Sequence, residues 1–323
     1  MKSFLVKMGA FAMCALLVSA LVVNVSGENK ALTEEQYSEI EQALLDQSKD
    51  LPVSEEFRVK VSPEDLSVKE GLDETWMNVL LLGTDTGNIA LNYGRTDTMI
   101  ILSVNRQTGK MRLASLVRDM QVFLPYYQKD FKINAANAFG GPLLAVKTVN
   151  ETFGLNIRNY VSINFNGFKK VIDSLGGVEL VLSDGEAWLV GVPTSGQAQV
   201  LNGQQALDYV RIRQLDDNFG RNERQRKLLS SLFKKILGGS DMLQAMAAMT
   251  EALKHMATNL NINDMFTLVM PVFTGMENMD TAGFPAAGDY RHKITERQEA
   301  VIEFDLEKTI QKLHDYIYLG ITP

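Results

Sequence analysis

Cysteine is nearly missing from this chain: Cys14 is the single one in 323 residues. That rules out an intramolecular disulfide and a cysteine-rich zinc site. Histidine is scarce too. His255, His292 and His314 are widely spaced and late, which argues against a histidine-rich metal centre. No Gly-x-Ser-x-Gly elbow occurs and no histidine lies near the charged motifs below, so nothing reads as a convincing covalent nucleophile. Internal repeats and low-complexity segments are lacking as well. Any chemistry has to rest on carboxylates, arginines and amides. The 46% of apolar residues suffice to bury one large core.

The N-terminus holds the longest apolar stretch. Met8 to Val25 form an 18-residue run behind Lys2 and Lys7. At about 1.5 Å per residue such a helix just spans a hydrocarbon core. The lysines keep the short tip inside and put everything after residue 27 outside. A signal peptide cleaved near Val25-Ser26-Gly27 is the competing reading, although the run is long for one. Both readings make the globular part extracytoplasmic, and the anchor is the one adopted: a single-pass protein of the cell membrane. Between Glu28 and Thr75 there are 14 acidic and 5 basic residues, which leaves the remainder of the chain near neutral. That stretch reads as an acidic stalk with one helical piece from Thr33 to Gln47. The expected division is therefore an anchor over residues 1–27, a stalk over 28–75 and a globular domain over 76–323.

Beyond Trp76 the periodicity alternates. Strands are expected at Met77–Leu82, Met99–Asn105, Met111–Leu116, Tyr160–Phe165 and Gly177–Leu182, with a hairpin loop at residues 106–109. Helices are expected at Gly141–Phe153, at Asn166–Leu175 behind an Asn cap, after the Asn202 cap, and at Arg221–Leu237. Met-rich helices follow at Met242–Met256 and Asp264–Phe273, and a last one at Leu306–Tyr318. Interleaved helices and strands predict an α/β fold, a layered α-β-α domain around a central mixed sheet.

Two polar blocks interrupt this pattern. The first follows the strand NVLLLG and holds Asp85, Arg95 and Asp97. Two carboxylates brought together by one loop suit Mg²⁺, with Mn²⁺ a second candidate, since such ions borrow phosphate oxygens to complete their shell. Each aspartate alone reads equally well as a turn or cap residue. The second block, Tyr209 to Leu229, carries Arg211, Arg213, Arg221, Arg224 and Gln225 around Gly220. Two arginines in the first turn of a helix oppose its dipole unless an anion sits between them. Arg118, after the strand ending at Leu116, fits either a salt bridge or the same anion. The combination suggests a metal-bound pyrophosphate and direct transfer at phosphorus.

The blocks NVLLLGTD, GRTDTMIILSVN, SLVRD, KINAANAFGG, NYVSINFNGFKKVIDSLGGVEL, LNGQQALDYVRIR and FGRNERQR, in that order, resemble the LytR-CpsA-Psr family over about residues 76–239. The resemblance implies a membrane-anchored, extracytoplasmic phosphotransferase of Gram-positive bacteria. Such enzymes move an anionic glycopolymer, such as wall teichoic acid or capsular polysaccharide, from undecaprenyl pyrophosphate to the C6 hydroxyl of N-acetylmuramic acid in peptidoglycan. It further implies Mg²⁺ on Asp85 and Asp97. Pyrophosphate would lie on Arg95, Arg118, Arg211, Arg213, Arg221 and Gln225, and a polyprenyl tail in an apolar tunnel between sheet and helices.

The chain departs from the family pattern twice. Val117 stands where proline is usual. Asn218 stands where an acid commonly precedes the aromatic-Gly-Arg triplet, with Asp217 beside it as the substitute expected to share the chemistry with Arg118. A lipid-pyrophosphate hydrolase and a non-catalytic carrier-lipid binder are the alternatives. A DNA-binding regulator fits poorly, because such proteins need a basic surface and this domain is near neutral beside an acidic stalk. No nucleic-acid partner is expected.

Overall fold

The computed structural model describes residues 58–85, 93–216, 218–237, 253–261, 263–265, 267–268, 279–296 and 298–323. The expected membrane segment, the Thr33–Gln47 helix and Asp217 lie outside them, as do residues 242–252 and 269–273 of the two Met-rich helices. Among the described residues no helix is long and apolar enough to cross a membrane.

In order, the chain forms β1 (Trp76–Thr84), β2 (Thr96–Asn105), β3 (Met111–Leu116), β4 (Gln121–Leu124), β5 (Lys129–Lys132), α1 (Ala135–Phe153), β6 (Asn159–Asn164) and α2 (Phe165–Ser174). Then come β7 (Val178–Val181), α3 (Asp184–Val190), β8 (Ala198–Leu201), α4 (Gly203–Arg211) and α5 (Asn218–Leu237). The chain closes with β9 (Met256–Thr258), β10 (Met279–Phe284), β11 (Tyr290–Ile294), β12 (Ala300–Phe304) and α6 (Leu306–His314). Six strands make one mixed sheet in the order β10-β3-β2-β1-β6-β9. β1–β2, β2–β3 and β6–β9 are antiparallel, whereas β1–β6 and β3–β10 are parallel.

The central strands are apolar on both sides, as a sheet covered on both faces requires. Successive side chains point to opposite faces. Leu80, Leu82, Met99 and Ile101 pack with Phe139, Val146 and Val149 of α1 and with Leu313, Tyr316 and Ile317 near the C-terminus. Ile100, Leu102, Val104 and Leu113 face the other way, toward Leu229 and Phe233 of α5. Helices thus flank the sheet on two sides.

Several boundaries differ from expectation. Residues 58–75, assigned to the stalk by charge, lie against the domain: Leu66 is buried in the core, and Lys69 N–H bonds the Leu155 carbonyl at 2.9 Å. The folded unit begins by residue 58. The helix expected from Gly141 starts at Ala135 and kinks at Gly140 and Gly141, the latter at φ +69°. The cap of α2 is Asn164, not Asn166, and its side chain accepts from Gly167 N–H at 2.8 Å. Met256, expected in a helix, belongs to the edge strand β9. Asn202 and Gln205 form the expected capping box of α4.

Candidate active site

Asp85 and Asp97 come together through strand register. Gly83 pairs with Thr98 and Thr84 with Thr96, so Asp97 is the extra residue of a β-bulge. A bulge bends the strand and re-aims its extra side chain. Asp85 follows the last residue of β1 directly, at the same end of the pair, and is exposed. Arg95 precedes Thr96 and is half-buried there. Buried Asn137 of α1 holds this segment by donating from Nδ2 to the Gly94 carbonyl at 2.8 Å.

Arg118 enters from the end of β3. Its Nη1 donates to the Asp97 carboxylate, and its Nε lies 3.4 Å from Asp119 Oδ2 as an ion pair. Burial pulls its pKa down, but Asp97 and then Asp119 more than offset that, and the result is raised. Arg213 reaches Asp97 Oδ2 at 3.9 Å from an exposed position, and Lys132 Nζ lies 3.2 Å from Asp119 Oδ1. Arg211 ends α4 with its guanidinium 4.7 Å over the Phe165 ring.

Arg221 is the unusual member. It is 2% exposed, and none of its three guanidinium nitrogens has a hydrogen-bond acceptor among the described residues. Burial first, then the neighbouring Arg118 cation, draws its pKa down to about 10, against a partial offset from Asp97. It still carries its charge at neutral pH. A buried cation without a hydrogen-bonded counter-ion costs several kcal/mol, which an anion bound beside it would recover. One turn further along α5, the buried Gln225 Oε1 likewise accepts no hydrogen bond among the described residues.

The second arginine block divides on closer inspection. α5 starts at Asn218, three residues earlier than expected, so Gly220 lies inside its first turn and not in the preceding loop. Arg224 is therefore in the second turn, and it is spoken for. It grips Asp216 through both terminal nitrogens at 2.8 and 2.5 Å, donates to the Ile212 carbonyl at 2.9 Å and lies 3.7 Å from Glu186. Its work is to fold the Arg213-bearing segment back onto α5. A Cβ at Gly220 would fall 2.1 Å from the Asp216 carboxylate, which explains the glycine.

Asn218 donates from Nδ2 to Asp119 Oδ2 at 2.7 Å. Asp119 and Lys132 were not singled out from the sequence, although both sit inside motif blocks. Nothing in residue spacing pairs them, because the contact joins the end of β3 to β5 and α5. The positive groups Arg118, Lys132, Arg213 and Arg221 outnumber the carboxylates Asp97 and Asp119, which suits an anion. Among the described residues no three His, Cys, Asp or Glu side chains gather in one group. Asp85 and Asp97 alone fit Mg²⁺, which takes one or two carboxylates and completes its shell with waters and phosphate oxygens.

Beside this cluster opens a cavity of about 270 Å³ between the sheet and helices α2, α4 and α5. Thr98, Asn164 and Gln225 are polar members of its lining, which is otherwise apolar, with Val79, Leu102, Phe168, Leu232, Phe233 and Met265 among it. Gln225, one turn from Arg221, is part of that lining, and an apolar space next to a cationic cluster fits an amphiphile with an anionic head.

The comparisons with known proteins agree with this geometry. A protein of Enterococcus faecalis named polyisoprenyl-teichoic acid--peptidoglycan teichoic acid transferase TagU is 32% identical over 266 residues, covering 78% of this chain and 84% of that protein. Its namesake in Oceanobacillus iheyensis is 35% identical over 222 residues, 66% of this chain and 68% of that one. The crystal structure of B. subtilis TagV superimposes with a TM-score of 0.62 at 26% identity, over 77% of this chain and 98% of the other. The sequence model of the LytR_cpsA_psr family matches residues 31–311, and with the motif blocks converging on one anion-seeking cluster, this chain belongs to that family.

Proposed function

We propose that this protein transfers an anionic glycopolymer from an undecaprenyl-pyrophosphate carrier to peptidoglycan, at the C6 hydroxyl of N-acetylmuramic acid. Relatives named as teichoic acid transferases support the reaction class. The observation that carries the reading here is Arg221, a buried cation lacking an acceptor among the described residues, one helical turn from Gln225 in the lining of an apolar cavity. A polyprenyl pyrophosphate supplies both missing halves: an anion for Arg221 and a chain for the cavity.

In this reading Arg118, Arg211, Arg213, Arg221, Arg95 and Gln225 hold the pyrophosphate, and Asp85 and Asp97 hold Mg²⁺. The ion supplies neutralisation of charge building on the phosphate oxygens. Arg118 sits between Asp97 and Asp119 and is the group best placed to steady charge on the leaving lipid phosphate. Phosphoryl transfer has a loose transition state, so positioning and electrostatics do most of the catalysis. Asp217, beside Asn218, remains the proposed acid of the second block. The apolar run over residues 8–25 would hold the domain at the outer face of the membrane, where carrier and acceptor meet.

The test uses the full chain in detergent with a short-chain polyprenyl-pyrophosphate glycoside and a peptidoglycan oligosaccharide. Glycan should appear on the acceptor, release of lipid phosphate should depend on that acceptor, and EDTA or the paired substitution Asp85→Ala, Asp97→Ala should abolish transfer. Equal release without acceptor would identify a hydrolase instead, and binding without release a carrier-lipid binding protein. Full activity of the double variant would remove the metal from the reading.

A further inference from the structure

Asp119 is a carboxylate that the proposed chemistry leaves without a task, yet it is the most heavily engaged acidic group of the site. Its Oδ2 accepts from Asn218 at 2.7 Å and lies 3.4 Å from Arg118 Nε; its Oδ1 lies 3.2 Å from Lys132 Nζ. Its backbone is pinned as well, since Ile302 N–H donates to the Asp119 carbonyl at 2.8 Å and Met120 bridges Ile302. Its side chain is only 13% exposed. We infer that Asp119 is a positioning residue for Arg118, and that in this chain the Asn218 amide holds Asp119 in that role.

The argument is one of donors and acceptors. Arg118 is hydrogen-bonded through Nη1 to Asp97, while its Nε, without a hydrogen-bond acceptor among the described residues, lies 3.4 Å from Asp119 Oδ2 as an ion pair. A guanidinium hydrogen-bonded at one edge and drawn electrostatically to a second carboxylate at the other is restrained from swinging about its long side chain, which favours one direction for its remaining N–H groups. The Asp119 oxygens are already engaged by two cations and an amide. Its value lies in orienting a neighbour. Asn218 contributes an N–H to it, which a carboxylate at that position could not do at neutral pH. An acid there would set two negative groups at hydrogen-bond distance and loosen the hold on Arg118. The departure from the family pattern at 218 thus has a structural counterpart across the cleft.

This inference rests on the proposed reaction for its kinetic part but has a readout independent of it. In ¹⁵N-arginine-labelled full-length protein, the Arg118 Nε–H resonance, assigned by Arg118→Lys, should move toward the solvent-exposed position in both Asp119→Asn and Asn218→Asp. In the transfer assay both variants should lose at least tenfold in kcat, while the Kd for inorganic pyrophosphate stays within about threefold, because Arg213 and Arg221 still face the anion. The exchanged pair, Asp119→Asn with Asn218→Asp, restores one acid and one amide and should regain most of the lost kcat. An unmoved Nε–H resonance in both single variants would overturn the inference, as would an exchanged pair no better than the worse single. If the wild type itself transfers nothing, the functional reading fails and the resonance alone decides the role of Asp119.

Discussion

Arg221 and Arg224 lie three positions apart on one helix, are both buried, and do opposite things. Arg224 is neutralised by Asp216 and Glu186 and is structural; Arg221 faces Arg118 with no acceptor of its own. Arginine density in the sequence marks both and cannot separate them, because the deciding partners come from α3 and from the loop before α5. The distinction has a measurable consequence. With its pKa drawn down to about 10, Arg221 gives up its proton before an unfolded arginine does. Stability should therefore rise with pH from about 10 up to the unfolded arginine's value. Below that window the charge costs the fold about 3 kcal/mol. Arg221→Met should raise the melting temperature of the ligand-free protein by several degrees. Inorganic pyrophosphate should then stabilise the wild type strongly and the variant little. A variant that melts lower and responds equally to pyrophosphate would show that Arg221 is balanced within the protein itself.

Helix α5 joins the two halves of the site. Arg221 lies among the charged cluster, and Gln225, Leu228, Leu229, Leu232, Phe233 and Ile236 line the cavity wall. Its apolar stripe was legible in advance, as were strands β1 to β3 and the capping box of α4, because each follows one strong period or one specific pair. What stayed hidden was different in kind. The hairpins β4–β5 and β11–β12 have strands of only four or five residues, with β5 and β11 mostly polar, β8 is largely exposed, and α3 spans seven residues with Trp188 in the open. Such elements are fixed by what they pack against, and a single sequence does not display that. The start of α5 was missed because Gly220 resembles a loop residue until Asp216 is seen against it. A stripe that lines a cavity and one that fills a core are identical on paper, so the cavity needs its own test. Leu232→Trp should narrow the passage and leave the arginines untouched. Affinity for a long polyprenyl pyrophosphate should drop at least tenfold, about 1.4 kcal/mol, with inorganic pyrophosphate unaffected. Equal losses for both ligands would place the chain outside the cavity.

The domain as a whole is a sheet dressed unequally. Toward α1 and the C-terminal segment its face is packed with Phe139, Phe153, Leu313 and Tyr316; toward α5 part of it borders the cavity. In the proposed reading substrate handling falls to one side, while the other supplies the cohesion. The strand order has another consequence, in time and not in space. β1, β2 and β3 are chain neighbours joined by antiparallel pairing, whereas Met279–Phe284 must return across more than half the domain to lie parallel to Met111–Leu116. Local contacts close at small entropic cost, and long parallel closures come slowly. The meander carrying Asp85, Asp97 and Arg118 should therefore assemble first, and the edge strand last. Pulse-labelling hydrogen exchange during refolding should protect the amides of Leu80–Leu82 and Ile100–Leu102 ahead of those of Ala282–Phe284. Simultaneous protection would mean that the sheet zips up as one unit. If the order holds, Asp85, Asp97 and Arg118 are assembled in the nascent domain before α5 delivers Arg221, so one half of the proposed site predates the other.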